Sequence, residues 1–281
     1  MANDTLTIRV LRFLPKNLIS RGFGWIARLE RPRFFVRPFM RWFANRFQID
    51  FEEAAKRFED YPSLLAMFTR ELKEGVRPIN QDRGVLVNPV DGRVGAYGRI
   101  ERGRLVQAKG MDYSLEALLG SAEAAEPFAG GRFATIYLSP RDYHRLHSPD
   151  DAKIERTLYE PGKLWPVNAA AVKNVPSLFA VNERVTAFLA TERAPLAFVM
   201  VGATNVGKIR LAYEDFVSNC GGQRELFEHS PAVPVARGEH LATFELGSTV
   251  IVIVGSDSFE WGDLKTGEWI PLGSALGRYQ D

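Results

Sequence analysis

A chain of 281 residues, 46% of them hydrophobic, is long enough for one large domain or a domain with an appendage, and apolar enough for a substantial core. One cysteine excludes an internal disulfide framework and a cysteine-based zinc site, and four histidines leave few candidates for imidazole chemistry. The net charge of +2 conceals an asymmetry: residues 1 to 46 carry ten Lys or Arg against Asp4 and Glu30, so the remainder is net acidic.

In the basic segment the cations are interleaved with Phe13, Phe23, Trp25, Phe34, Phe35, Phe39, Trp42 and Phe43. No uncharged apolar run approaches the ~18 residues of a membrane span, and Arg9 and Arg12 interrupt what would be a signal-peptide core. The composition fits amphipathic helices lying in a membrane interface, aromatics toward acyl chains and Arg toward anionic headgroups, each cation contributing about 1 kcal/mol. A basic helical hairpin packed on its own domain or on nucleic acid satisfies the same composition. Residues 51 to 77 continue a helical pattern, with Phe51, Ala54, Ala55 and Phe58, then Leu64, Leu65, Phe68 and Leu72, at three- and four-residue spacings around a break at Pro62-Ser63.

From about residue 84 the texture becomes that of a β-rich body, giving an α+β chain. Short apolar runs bounded by turn formers predict strands at Val85 to Val87, Val94 to Tyr97, Leu105 to Ala108, Phe133 to Leu138, Phe198 to Val201, Ile209 to Tyr213 and Val250 to Val254. Helical patterns interrupt them at Leu115 to Leu119 and Ala169 to Val172, and the stretch from Cys220 to Glu239, weakly periodic and rich in turn formers, reads as a loop.

Three polar constellations carry chemistry. Asn88-Pro89-Val90-Asp91-Gly92-Arg93 has the signature of a hairpin turn. Ser139-Pro140-Arg141-Asp142 resembles a helix start; a helix would set His144 and His147 on one face, whereas a strand would part them. The pair is a poor metal site, since two histidines at this spacing lack a third and fourth ligand, and no metal is expected. The third is Leu246-Gly247-Ser248-Thr249, ahead of the β-branched run. It is either a strand entrance or a bond the chain cuts itself. Ser248 as nucleophile, one histidine as base and Asp91 as orienter supply the roles of a serine triad, without the Gly-x-Ser-x-Gly of a hydrolase elbow. A serine hydrolase working with an intact chain and a non-enzymatic lipid-binding protein are the rival readings.

Across nearly its whole length the chain resembles the phosphatidylserine decarboxylase proenzymes of the shorter bacterial, membrane-associated type. The resemblance rests on Phe68-Thr69-Arg70-Glu71-Leu72, Arg77-Pro78-Ile79, Pro89-Val90-Asp91-Gly92, Ala108-Lys109-Gly110, Tyr137 through Arg145, Pro161-Gly162, Asn182-Glu183-Arg184-Val185, Gly202-Ala203-Thr204 and Leu246-Gly247-Ser248-Thr249. It implies an N-terminal amphipathic membrane-association region, 1–80, and a β-rich barrel- or sandwich-like catalytic domain, 81–281. It also implies that His147, oriented by Asp91, takes the Ser248 proton, and that the alkoxide attacks the Gly247 carbonyl. The resulting ester eliminates to give chains 1–247 and 248–281, and the dehydroalanine left at 248 takes up water and loses ammonia to become a pyruvoyl group. That cofactor would form a Schiff base with phosphatidylserine, and His144 would return a proton to carbon after decarboxylation to phosphatidylethanolamine. The implied partners are phosphatidylserine in an anionic membrane, the two cleaved chains for one another and further copies in a homo-oligomer, with no nucleic acid. The implied location is the cell membrane, peripherally on its cytoplasmic side. Where family members usually carry Gly-x-Glu-x-Gly-x-Phe, this chain reads Gly238-Glu239-His240-Leu241-Ala242-Thr243-Phe244, a change that bears on backbone fit beside the cut and leaves the triad untouched.

Overall fold

The computed structural model describes residues 16–204, 208–245 and 248–280. The basic segment forms helices α1 (Lys16–Ala27) and α2 (Arg33–Phe47); the first fifteen residues of the expected interfacial region lie outside the described residues. Helix α2 carries two apolar stripes. Val36, Met40 and Phe43 are buried, while Phe35, Phe39 and Trp42 repeat the same spacing and stack along another side. The buried stripe packs on α3 (Leu64–Phe68), which begins at the expected break because the Ser63 hydroxyl accepts the Ala66 N–H at 3.2 Å. The rest of the helix expected over 51–77 is absent apart from a single turn at Phe58–Asp60. Its two ends pair with each other instead, Ala55 N–H with the Glu71 carbonyl (2.8 Å) and Lys73 N–H with that of Glu53 (2.9 Å).

Eight strands make the main sheet: β1 (Gly92–Arg99), β2 (Arg132–Leu138), β3 (Ala152–Glu160), β4 (Arg184–Thr191), β5 (Pro195–Val201), β6 (Glu225–Val235), β7 (Ser248–Val254) and β8 (Trp269–Ile270). They lie antiparallel in the order β6-β3-β4-β5-β7-β2-β1-β8. The barrel half of the expectation is therefore corrected. Among the described residues the sheet is open, ending in the irregular β6 and the two-residue β8, and each face is closed by its own core. Val250, Val252 and Val254 enter one core, whereas Ile251 and Ile253 enter the other. That two-sided burial is why β7 reads as an unbroken apolar run.

Six of the seven apolar runs fall within strands, the seventh, Ile209 to Tyr213, is strand only over Ile209–Leu211, and both short helical patterns are helices, Leu115–Leu119 and Ala169–Asn174. Three local expectations are corrected. The supposed loop from Cys220 contains β6, an edge strand in which exposed Leu226, Ser230 and Pro231 and a register shift between Glu228 and Val233 break the alternation of its inward residues Phe227, His229, Val233 and Val235. Asn88–Arg93 is not a hairpin turn: Val85–Val87 pairs with Ala275–Tyr279 in a separate sheet, whereas β1 pairs with β2, so the turn carries the chain between sheets. No helix starts at Ser139. The Asp142 carboxylate accepts both the N–H (2.6 Å) and the hydroxyl (2.7 Å) of Ser139, closing a turn that leads into the strand Arg145–His147.

Candidate active site

The segment holding the predicted cut passes from one sheet to another. His240–Phe244 pairs with Arg145–His147, setting His240 opposite His147; the chain then enters β7, where Ser248 faces Leu138, and Thr249 faces Tyr137 on one side and Val201 on the other. Leu246 and Gly247, and with them the acyl side of the predicted scissile bond, lie outside the described residues, and Ser248 is described only through its strand pairing. The acyl side is approached from Phe244, whose N–H donates to the His144 carbonyl at 2.9 Å, and from Glu245, whose N–H donates to that of Lys208 at 2.9 Å.

The extended backbone points His144 and His147 into different surroundings. His144 is fully buried, its ring centroid 3.9 Å from that of Phe68. Its Nδ1 lies 2.8 Å from the Asp142 carbonyl and so carries the hydrogen, leaving Nε2 as a buried acceptor with no partner. Burial, reinforced by the Arg70 cation, pushes its pKa down to about 3. His147 is placed by two contacts: Nδ1 donates to the Gly238 carbonyl (2.8 Å), and Nε2 lies 3.3 Å from the Tyr143 hydroxyl. Burial pushes its pKa down to about 4 despite the opposing effect of the Gly238 bond. It is thus neutral at physiological pH with its lone pair on Nε2, the form a general base requires.

Asp91 is almost fully buried beside this group. The His147 N–H donates to the Pro89 carbonyl at 3.0 Å, which sets His147 and Asp91 on adjoining segments. The carboxylate itself is held by Arg77 (Nε 2.8 Å, Nη2 2.8 Å) and by the Leu272 N–H (2.8 Å), and Arg77 also pairs with Glu53 at 2.7 Å. The structure thus brings His147 to Gly238 and Tyr143, and Asp91 to Arg77, with no hydrogen bond recorded between Asp91 and His147. Sequence reasoning assigned no role to Arg77, Gly238 or Tyr143. Arg77 and Tyr143 stood within the motifs of the resemblance, but their pairings join residues 4 to 91 positions apart in the chain, which no local pattern encodes. Gly238 adopts φ +78°, and a Cβ there would lie 2.7 Å from Ile79.

On the other face of β7, Thr249 helps line a cavity of about 540 Å³. Its walls are largely apolar, with Tyr137 and Phe179 among them, while Arg93, Lys109 and Lys173 supply positive charge. This combination suits an anionic headgroup attached to apolar chains. Two buried polar atoms without partners, Thr249 Oγ1 and His144 Nε2, belong to residues joined to the cut segment, by the chain and by the Phe244 hydrogen bond respectively. The Thr249 hydroxyl is free to donate, to a carbonyl for instance, whereas His144 Nε2 can only accept.

Residues 64–278 match the family model described as phosphatidylserine decarboxylase. The chain is 43% identical over 276 residues to a phosphatidylserine decarboxylase proenzyme of Myxococcus xanthus (strain DK1622), covering 98% of this chain and 99% of that one. It is 44% identical over 254 residues to the proenzyme so named of Anaeromyxobacter sp. (strain K), covering 89% and 90%. With that of Pseudomonas fluorescens (strain Pf0-1) it shares 42% over 272 residues, covering 94% and 95%.

Proposed function

Because the chain belongs to the phosphatidylserine decarboxylase family, we propose that it is a self-cleaving proenzyme whose mature form converts phosphatidylserine to phosphatidylethanolamine and carbon dioxide. The observation that carries this reading is a buried, neutral His147, held through Nδ1 by the Gly238 carbonyl with Nε2 at the Tyr143 hydroxyl, on the strand that pairs with His240–Phe244 just before the predicted cut, together with a cationic, apolar cavity at Thr249.

His147 Nε2 takes the Ser248 proton as that oxygen attacks the Gly247 carbonyl, and Gly238 holds the imidazole in the required tautomer. Arg77, Glu53 and Asp91 together carry net negative charge, so Asp91 favours the imidazolium that forms on His147 during attack. The pyruvoyl carbonyl derived from Ser248 supplies the electron sink for loss of carbon dioxide. His144, whose buried Nε2 has no other partner, returns a proton to the reacting carbon after carbon dioxide leaves. Arg93, Lys109 and Lys173 hold the anionic headgroup, while the apolar walls meet the lipid.

After cleavage, residues 248–281 still contribute β7 between β5 and β2, so the fragments stay associated through the centre of the sheet. Residues 1–80 form the membrane-association region and 81–281 the catalytic domain. The exposed Trp25, Phe34 and Trp42, with Arg33 and Arg41 beside them, support peripheral attachment to the anionic cytoplasmic face of the cell membrane. Among the described residues no helix is long and apolar enough to cross a membrane. The expected homo-oligomer is measured by sedimentation. The deciding experiment is intact mass with a denaturing gel: the purified protein yields 1–247 and an N-terminally blocked 248–281, and Ser248→Ala remains whole and forms no phosphatidylethanolamine. An uncleaved wild-type chain overturns the reading.

A further inference from the structure

Glu245, two residues before the predicted cut, is 8% exposed and is clasped by two arginines from distant parts of the chain. Arg210 Nη2 lies 3.0 Å from one carboxylate oxygen, and Arg28 Nη2 pairs with the other. Arg28 directly follows α1, and its Nη1 also donates to the Gly24 carbonyl at 3.0 Å, which ties the guanidinium to the helix end. With the backbone bonds of Phe244 to His144 and of Glu245 to Lys208, the acyl side of the cut is anchored by four independent contacts. Three arise within the catalytic body, and the fourth comes from the N-terminal helical segment.

We infer that Glu245 is a positioning residue for self-cleavage, and that Arg28 makes the N-terminal helices part of the maturation machinery as well as a means of membrane attachment. The inference rests on the proposed self-cleavage. Attack on a peptide carbonyl needs the oxygen within about 3.5 Å and in line, and a displacement of about 1 Å costs roughly a hundredfold in rate. A buried carboxylate held from both sides fixes the strand end against such displacement, whereas an exposed pair would be screened and mobile. Trp25 and Ile26, exposed on the last turn of α1, precede Arg28, itself 38% exposed, so an apolar surface adjoins this clamp.

The test is a time course of maturation of the full-length chain, followed on a denaturing gel, for Glu245→Gln, Arg28→Gln, Arg28→Lys and the charge-swapped pair Arg28→Glu with Glu245→Arg. Glu245→Gln and Arg28→Gln are expected to mature roughly ten- to a hundredfold more slowly. Arg28→Lys and the swapped pair should recover at least part of the rate, which a general loss of folding would not permit. Parallel thermal midpoints in the Ser248→Ala background identify a variant that fails to fold. Wild-type speed in Glu245→Gln, or no recovery in either rescue, overturns the inference while leaving the proposed function standing. A wild-type chain that never cleaves brings down both.

Discussion

His144 and His147 stand three positions apart yet sit in different environments, one against Phe68 and the Asp142 carbonyl, the other between Gly238 and Tyr143. Replacing His147 by Ala, or Asp91 by Asn, should slow maturation first, by roughly a hundredfold or more for loss of the base, read as precursor persisting on a gel. His144→Ala should still mature but lose decarboxylation by a similar factor, measured as carbon dioxide release per cleaved chain. Normal turnover by cleaved His144→Ala would remove its proton-carrying role. The histidines also predict how stability depends on pH. The folded pKa of His144, about 3, lies below the ordinary 6.5, so the unfolded chain binds a proton that the folded chain excludes. Its contribution is fully present above the ordinary value and is lost as pH falls through the window down to about 3, at about 1.4 kcal/mol per pH unit. In the Ser248→Ala precursor, urea unfolding free energies between pH 6.5 and 4.5 should therefore be less steep in pH when His144 is replaced by Asn.

At the scale of elements, β7 holds the site because both of its faces are buried and both of its neighbours are paired along its length. A strand so confined keeps residue 248 still while the segment before it changes sheets. Ile251→Ala should destabilise the Ser248→Ala precursor by about 3 kcal/mol, from lost burial and the cavity left behind. Leu226→Ala on the exposed edge strand β6 should stay within about 0.5 kcal/mol. Urea midpoints compare the two directly, and equal losses would contradict the central placement of β7.

At the scale of the whole molecule, the buried stripe of α2 packs on α3, and Phe68 of α3 meets His144, so the N-terminal region and the catalytic body share one contact chain. The second stripe leaves Phe35 and Trp42 facing solvent, and Phe34, off both stripes, is 83% exposed. Replacing Trp25, Phe34 and Trp42 by Ser should weaken pelleting with anionic vesicles by roughly tenfold per residue. Raising the salt should weaken the wild type further, because surface charge attraction is screened beyond about 10 Å at 0.1 M. Binding indifferent to both changes would dissociate the helices from the membrane.

The sequence by itself determined the strands that carry a short apolar run between turn formers, but not Arg145–His147, Ala152–Glu160 or Arg184–Thr191. The β-branched run Val250 to Val254 was legible as a strand, and Ser248, Asp91 and two histidines as candidates for the reactive groups. Only the tertiary structure decided how those groups are held. Arg77 on Asp91, Gly238 on His147 and Arg28 on Glu245 join residues 14, 91 and 217 positions apart, and hydrogen bonds at such separations leave no trace in local periodicity. β6 was hidden for a different reason, since a register shift between Glu228 and Val233 and its exposed Leu226 break the apolar alternation of an edge strand. The Ser139 turn is not a helix, because there the Asp142 carboxylate closed on Ser139 itself.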